Sequence, residues 1–163
     1  VEWSARLILL IMIGLSVWSF AIIIERNRFL KAFDVDEEFK GIKSQASKFS
    51  RDNIQFGLTR YFYSLQTNLQ KGLGVLGTLG STTPFIGLLG TILGIIVAFG
   101  ELSAGSAGTN AIMYSLAEAL ILTAVGLFVA IPAVISFNVF SKKSKHIISD
   151  LQSRLDEYIA LEK

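Results

Sequence analysis

Three long apolar stretches divide the chain. Leu7 to Ile24 (LILLIMIGLSVWSFAIII) carries no charge over 18 residues, about 27 Å as a helix, just enough to cross a bilayer core. Arg6 and this run resemble a signal peptide, but the run is too long and leads into Glu25, Arg26, Asn27 and Arg28 with no small-residue cleavage pattern. An uncleaved first span is predicted. Between Lys71 and Glu101 lie 29 positions without a charged residue, a second span with room for tilt. From Leu102 to Ser141 the only charge is Glu118, and Tyr114 to Phe140 is densely apolar, a third span with Pro132 near its end. Proline is tolerated in a membrane helix where neighbouring groups satisfy the freed carbonyl. A buried helix of a water-soluble protein would explain any one run, but three in 163 residues leave no polar mass to bury them.

Between the first two spans, Asp34, Asp36, Glu37, Glu38, Lys40, Lys43 and Lys48 alternate in sign without a continuous apolar core. Helix and loop are predicted there. Phe62, Leu65, Leu69 and Leu73 recur at three- to four-residue steps, so a helix is expected to start near Asn53 and run unbroken into the second span. After the third span Ile147, Ile148, Leu151, Leu155 and Ile159 repeat this spacing, which predicts an amphipathic continuation of that helix. The expected fold is all-α, with spans two and three prolonged as long helices. Its segments are 1–24, the N-terminal end and first span; 25–71, helical; 72–100, the second span; 101–113, a short Ser/Gly loop; 114–140, the third span; and 141–163, the amphipathic helix.

Composition sharpens this. Hydrophobic residues make up 52% of the chain and charged residues 17%, against about 25% charged in soluble domains. Zero cysteines exclude disulfides, thiolate metal sites and thiol nucleophiles, and the single His146 stands in a basic run with Lys142, Lys143 and Lys145, a poor setting for a catalytic base. No enzyme is expected, and no cofactor. A net charge of +2 does not suggest nucleic acid as a partner; the lipid bilayer is the partner instead. Val1 stands where an initiating methionine would, so a segment is expected to precede it.

The placement of the charges sets the topology. Nine Lys and Arg lie from Arg26 to Lys71, five follow the third span, one precedes the first, and none lies between Leu102 and Met113. The positive-inside rule then puts the middle segment and the C-terminus in the cytoplasm, with the N-terminus and the Ser/Gly loop outside.

Candidate chemistry centres on Glu118. An acid inside a span is costly, and intramembrane ionisable groups are functional by default, so an ion or proton pathway is favoured over a structural, protonated Glu. On the second span Thr83, Gly87 and Thr91 fall at i, i+4 and i+8 on one face, a hydroxyl stripe able to line a pore. Each hydroxyl has the competing option of bonding its own helix. Ser115 shares a face with Glu118, whereas Thr123 is rotated about 140° from it. Gly90 and Gly94 form a GxxxG pair that, with Gly87, suits close helix packing within or between chains. Three spans enclose no useful pore, so a conducting protein must oligomerise or take a partner helix.

The runs STTPFIGLLGTILGIIVAF (Ser81 to Phe99) and SLAEALILTAVGLFVAIPAVISFNVF (Ser115 to Phe140) resemble the paired signature of the TolQ/ExbB/MotA proton-channel superfamily, nearest its TolQ/ExbB branch. IIIERNRFL (Ile22 to Leu30) also resembles TolQ. The resemblance implies a homopentamer in the bacterial inner membrane, with spans two and three around a central pore. Inside it would sit a TolR/ExbD-like single-span partner bearing an Asp, with a TolA/TonB-like protein beyond. It carries pore roles to Thr91, Glu118 and Thr123, and helix-shaping roles to Pro84 and Pro132. The translocated ion would be a proton, and the motor would energise a Tol-Pal-type or TonB-type envelope process. The segment between spans one and two is shorter than usual for the family, which leaves the pore assignment intact. Two other readings stand beside this one: a non-conducting membrane scaffold working through its glycine faces, and a sodium-driven relative of the same motor.

Overall fold

A computed structural model describes residues 2–46, 54–105 and 108–161, and these residues are all-helical apart from short turns. The elements are α1 (Glu2–Ala32), α2 (Val35–Ala46), α3 (Ile54–Gln70), α4 (Leu73–Ser103) and α5 (Thr109–Leu161). Three of them, α1, α4 and α5, are long and apolar enough to cross a membrane. Asn53, where a helix start was expected, lies outside the described residues.

The predicted unbroken passage from α3 into α4 is not found. Lys71 and Gly72 form a turn, and Gly72 takes a φ of 77°. That left-handed conformation after the last helical turn is the usual glycine stop, so the second span is not prolonged back through α3. The third span is prolonged. α5 continues for 53 residues, ~80 Å at 1.5 Å per residue.

The chain divides into two compact units: Val1–Ile24 with Val75–Phe137, and Glu25–Gly74 with Asn138–Lys163. In the first, α4 and α5 run antiparallel along a seam of small residues. Leu76, Gly80, Thr83, Gly87 and Gly90 of α4 are buried, as are Ala119, Leu122, Gly126, Val129 and Ala133 of α5, at alternating steps of three and four. This 3.5-residue period is that of left-handed helix pairs. The glycines allow backbone-to-backbone approach: a Cβ on Gly87 would lie 2.9 Å from the Leu122 carbonyl oxygen, and one on Gly126 would lie 3.0 Å from the Thr83 carbonyl oxygen. α1 joins through Ile8 and Met12, which cluster with Leu122. Outside the seam the helices stay apolar, with Phe85, Ile92, Ile96, Phe99, Leu120 and Phe128 exposed. A helix apolar all round is what a lipid surround demands.

The second unit is held by polar groups at helix ends. Asp34 caps α2, its Oδ1 accepting from the amides of Asp36 (2.9 Å) and Glu37 (3.3 Å), and Asp36, Glu37 and Glu38 suit the positive end of the helix dipole. The last carbonyls of α3 are met from elsewhere. Arg26 Nη1 donates to the Asn68 oxygen at 3.0 Å and Ser144 Oγ to the Leu69 oxygen at 3.2 Å, while Lys143 Nζ donates to the Leu30 oxygen of α1 at 3.1 Å. These groups replace the intrahelical donors that a C-terminus lacks.

Candidate functional site

The sequence-predicted residues sit on α4 and α5 within the first unit. Thr83 and Gly87 lie in the α4/α5 seam, and Thr91 beside it is also buried. The two threonines bond their own helix, Thr83 Oγ1 to the Leu79 oxygen and Thr91 Oγ1 to the Leu88 oxygen at 2.7 Å. Ser115 does likewise, donating to the Ala111 oxygen at 3.2 Å. Thr83 and Thr91 are therefore buried with their donors engaged.

Gly90 and Gly94 also face α5. A Cβ on Gly90 would lie 2.8 Å from Leu122 Cδ1, so the GxxxG pair is occupied by intrachain packing. Pro84 and Pro132 stand inside continuous helices, each removing one amide from its ladder.

Thr123 behaves differently. Its Oγ1 is buried and has no hydrogen-bond partner, a condition shared among the described side chains only by Ser19 Oγ of α1. Buried hydroxyls in folded proteins are as a rule hydrogen-bonded, so this one is an exception. Glu118, five residues earlier on α5, is half-buried and makes no ion pair with a described residue. The unbroken helix keeps these two side chains about 140° apart, so they address different neighbours.

Among the described residues no three His, Asp or Glu converge in a way that could hold a metal ion. An open cleft of ≈ 370 Å³ lies in the second unit, lined by Phe29, Ala32, Phe33, Asp34, Glu37, Glu38 and Gly41, and includes none of the predicted site residues. Sequence reasoning missed Arg26, 4% exposed, and Ser19, 2% exposed. The signal for both was phase, since Ile8, Met12, Ser19, Arg26 and Leu30 recur at steps of four and seven along one face of α1.

Residues 27–153 match the model of the MotA/TolQ/ExbB proton channel family, most of the chain and every candidate site residue from Thr83 to Pro132. The chain belongs to this family. Within the MotA/TolQ/ExbB family its similarity is to the ExbB and TolQ proteins. It is 52% identical over 84 residues to the biopolymer transport protein ExbB of Xanthomonas campestris pv. campestris (strain B100), covering 51% of this chain and 33% of that one. To the Tol-Pal system protein TolQ of Pseudomonas aeruginosa it is 43% identical over 97 residues, covering 59% of this chain and 42% of that one. Both matches take in less than half of the relative. With the TolQ of Haemophilus influenzae the identity is 29% over 199 aligned positions, covering 96% of this chain and 87% of the other. An alignment of 199 positions against a chain of 163 residues opens gaps in this chain. With three apolar helices of spanning length, this family member is a membrane protein.

Proposed function

We propose that the chain is the proton-channel subunit of an inner-membrane motor that draws on the proton-motive force to energise a Tol-Pal-type or TonB-type envelope process. Five copies surround a central pore lined by α4 and α5, with the N-terminus periplasmic and the C-terminus cytoplasmic. A TolR/ExbD-like partner places its membrane helix, with one Asp, in that pore. Protons entering from the periplasm protonate and release the partner's Asp beside Thr91 and Thr123, and the partner turns or shifts in response. One charge crossing 100 mV yields about 2.3 kcal/mol, roughly fifty-fold in a two-state equilibrium.

The observation that carries this reading is the Thr123 hydroxyl, buried and without a partner in a stretch otherwise satisfied by its own helices. It supports a role for Thr123 as a donor to a carboxylate or water that arrives from outside the chain. Glu118 sets the charge and hydration of the path. The glycine faces that a scaffold would use to gather other proteins are taken up by α5, so no observation favours that alternative.

The test is proton flux and energised function in cells carrying the partner. Glu118→Ala, Thr91→Val and Thr123→Val are expected to abolish both while the oligomer still forms. Wild-type flux and function in all three, with normal assembly, would falsify the proposal. Replacing Na⁺ by K⁺ in the same assay is expected to leave flux unchanged; loss of flux would assign the motor to sodium.

A further inference from the structure

Pro84 lies inside α4 and has no amide hydrogen, so the carbonyl of Gly80, four residues earlier, lacks its regular i+4 amide donor. In a lipid surround such a carbonyl must find another donor. The nearby α4 hydroxyls are engaged elsewhere: Ser81 and Thr82 donate to the Thr78 oxygen, and Thr83 to the Leu79 oxygen. Position 80 has no side chain to offer either, since a Cβ there would lie 2.4 Å from Val134 Cγ2.

The other half of the pair is on α1. Ser19 is 2% exposed, and its Oγ has no hydrogen-bond partner. It does not use the carbonyl of Leu15 on its own helix, the outlet that Thr83 and Ser115 take.

Helix register brings the two groups level. A Cβ on Gly126 would lie 3.2 Å from Met12 Cε and 3.3 Å from Gly87 Cα, so the tip of the Met12 side chain reaches the level of Gly87. Successive crossings alternate in direction, which makes α1 antiparallel to α4. Seven residues are two turns, about 10 Å along a helix, and return to nearly the same face. Two turns forward from Met12 reach Ser19, two turns back from Gly87 reach Gly80, and both steps lead the same way.

We infer that Ser19 and the Gly80 carbonyl hold one ordered water molecule between α1 and α4. The Ser19 hydroxyl donates to the water, and the water donates to the carbonyl that Pro84 leaves open. Water is the ligand because Ser19 Oγ makes no hydrogen bond within the chain, and a buried water needs two or more polar partners of this kind. The site lies about three turns along α4 from Thr91. It assigns α1 a task of its own, support of the interrupted turn of α4 one heptad before Thr91.

The test is a double-mutant cycle on the full chain in detergent, read as the midpoint of thermal unfolding. In the Pro84 background S19A is expected to lower the midpoint by about 2–4 °C. With P84A, whose alanine amide closes onto Gly80 directly, the same change is expected to cost under about 1 °C. Equal losses in both backgrounds overturn the inference. If P84A yields no folded protein, a density map of the unsubstituted chain decides. A water within hydrogen-bond distance of both Ser19 Oγ and the Gly80 oxygen supports the site. A Ser19 hydroxyl bonded to the Leu15 carbonyl, with no water present, overturns it.

Discussion

From Gly77 to Gly94 the glycines of α4 let α5 approach closely because they carry no side chain, and Thr83 and Thr91 of α4 turn their hydroxyls back onto their own helix. In the unit of Glu25–Gly74 and Asn138–Lys163, polar side chains do the joining: Arg26, Lys143 and Ser144 reach carbonyls on other helices, and Arg154 reaches Asp36. The difference follows from the surroundings each composition suits. Lipid offers no hydrophobic drive between helices, so close van der Waals approach must hold them. Where water competes, a buried bond to an otherwise open carbonyl holds a helix end in place. The two units should therefore fail under different perturbations.

The largest effect is expected from Gly87→Val, which drives a branched side chain into the Leu122 carbonyl and the Thr123 Cα. Overpacking of this kind costs about 1–3 kcal/mol. Gly100→Ala, at a position with nothing within 4 Å, is the matched control and should leave the unfolding midpoint unchanged or raise it. A Gly87→Val protein as stable as this control would remove the seam from the account.

Ser144→Ala comes next. Ser144 is fully buried, and its loss leaves the Leu69 carbonyl without that donor, an expected cost of about 1–2 kcal/mol. The change should speed amide exchange in the last turn of α3 and leave α4 near Gly87 unaffected. Equal acceleration in both places would erase the contrast between the units.

A third effect appears only in alkali. Burial, followed by a hydrogen bond to Glu38 and the charge of that carboxylate, pushes the Tyr61 phenol from 10.0 up to about 12. The folded chain thus holds this proton more tightly than the unfolded one. Its contribution is full below pH ~10 and is lost as pH rises towards about 12. Tyr61→Phe should flatten the stability profile in that window and nowhere else.

The smallest effect is expected at Arg154, which bonds Asp36 at 2.6 Å and Asp150 at 3.1 Å from an exposed position. Arg154→Ala should be detectable at low salt and indistinguishable from the parent at roughly 1 M salt.

The three spans were legible because charge-free runs of that length admit few other structures. The continuation of α5 was legible because Ile147, Leu151 and Leu155 hold one phase. The stop between α3 and α4 was hidden by the same kind of evidence, since Phe62, Leu65, Leu69 and Leu73 keep an unbroken helical spacing across it. The signal against continuity was Gly72 itself, next to a charged residue at the end of the pattern. Arg26 looked like one more solvated charge because its acceptor, the Asn68 carbonyl, lies 42 residues away. Among the candidate site residues, residue type and spacing placed Thr83 and Thr91 on a shared face. No local pattern distinguishes Thr123, whose hydroxyl is isolated by packing, from threonines that bond their own helix.

The buried positions of α5 keep their phase across most of its length: Ala119, Gly126, Ala133, Phe140 and Ile147 all lie inside, seven residues apart. Deleting or inserting one residue near Gly126 would rotate everything after it by about 100° and bring exposed side chains such as Ile131 and Ile135 inward. A change of seven would restore the face. Length variation in this helix is therefore constrained to steps that return the buried face, of which seven residues is the simplest.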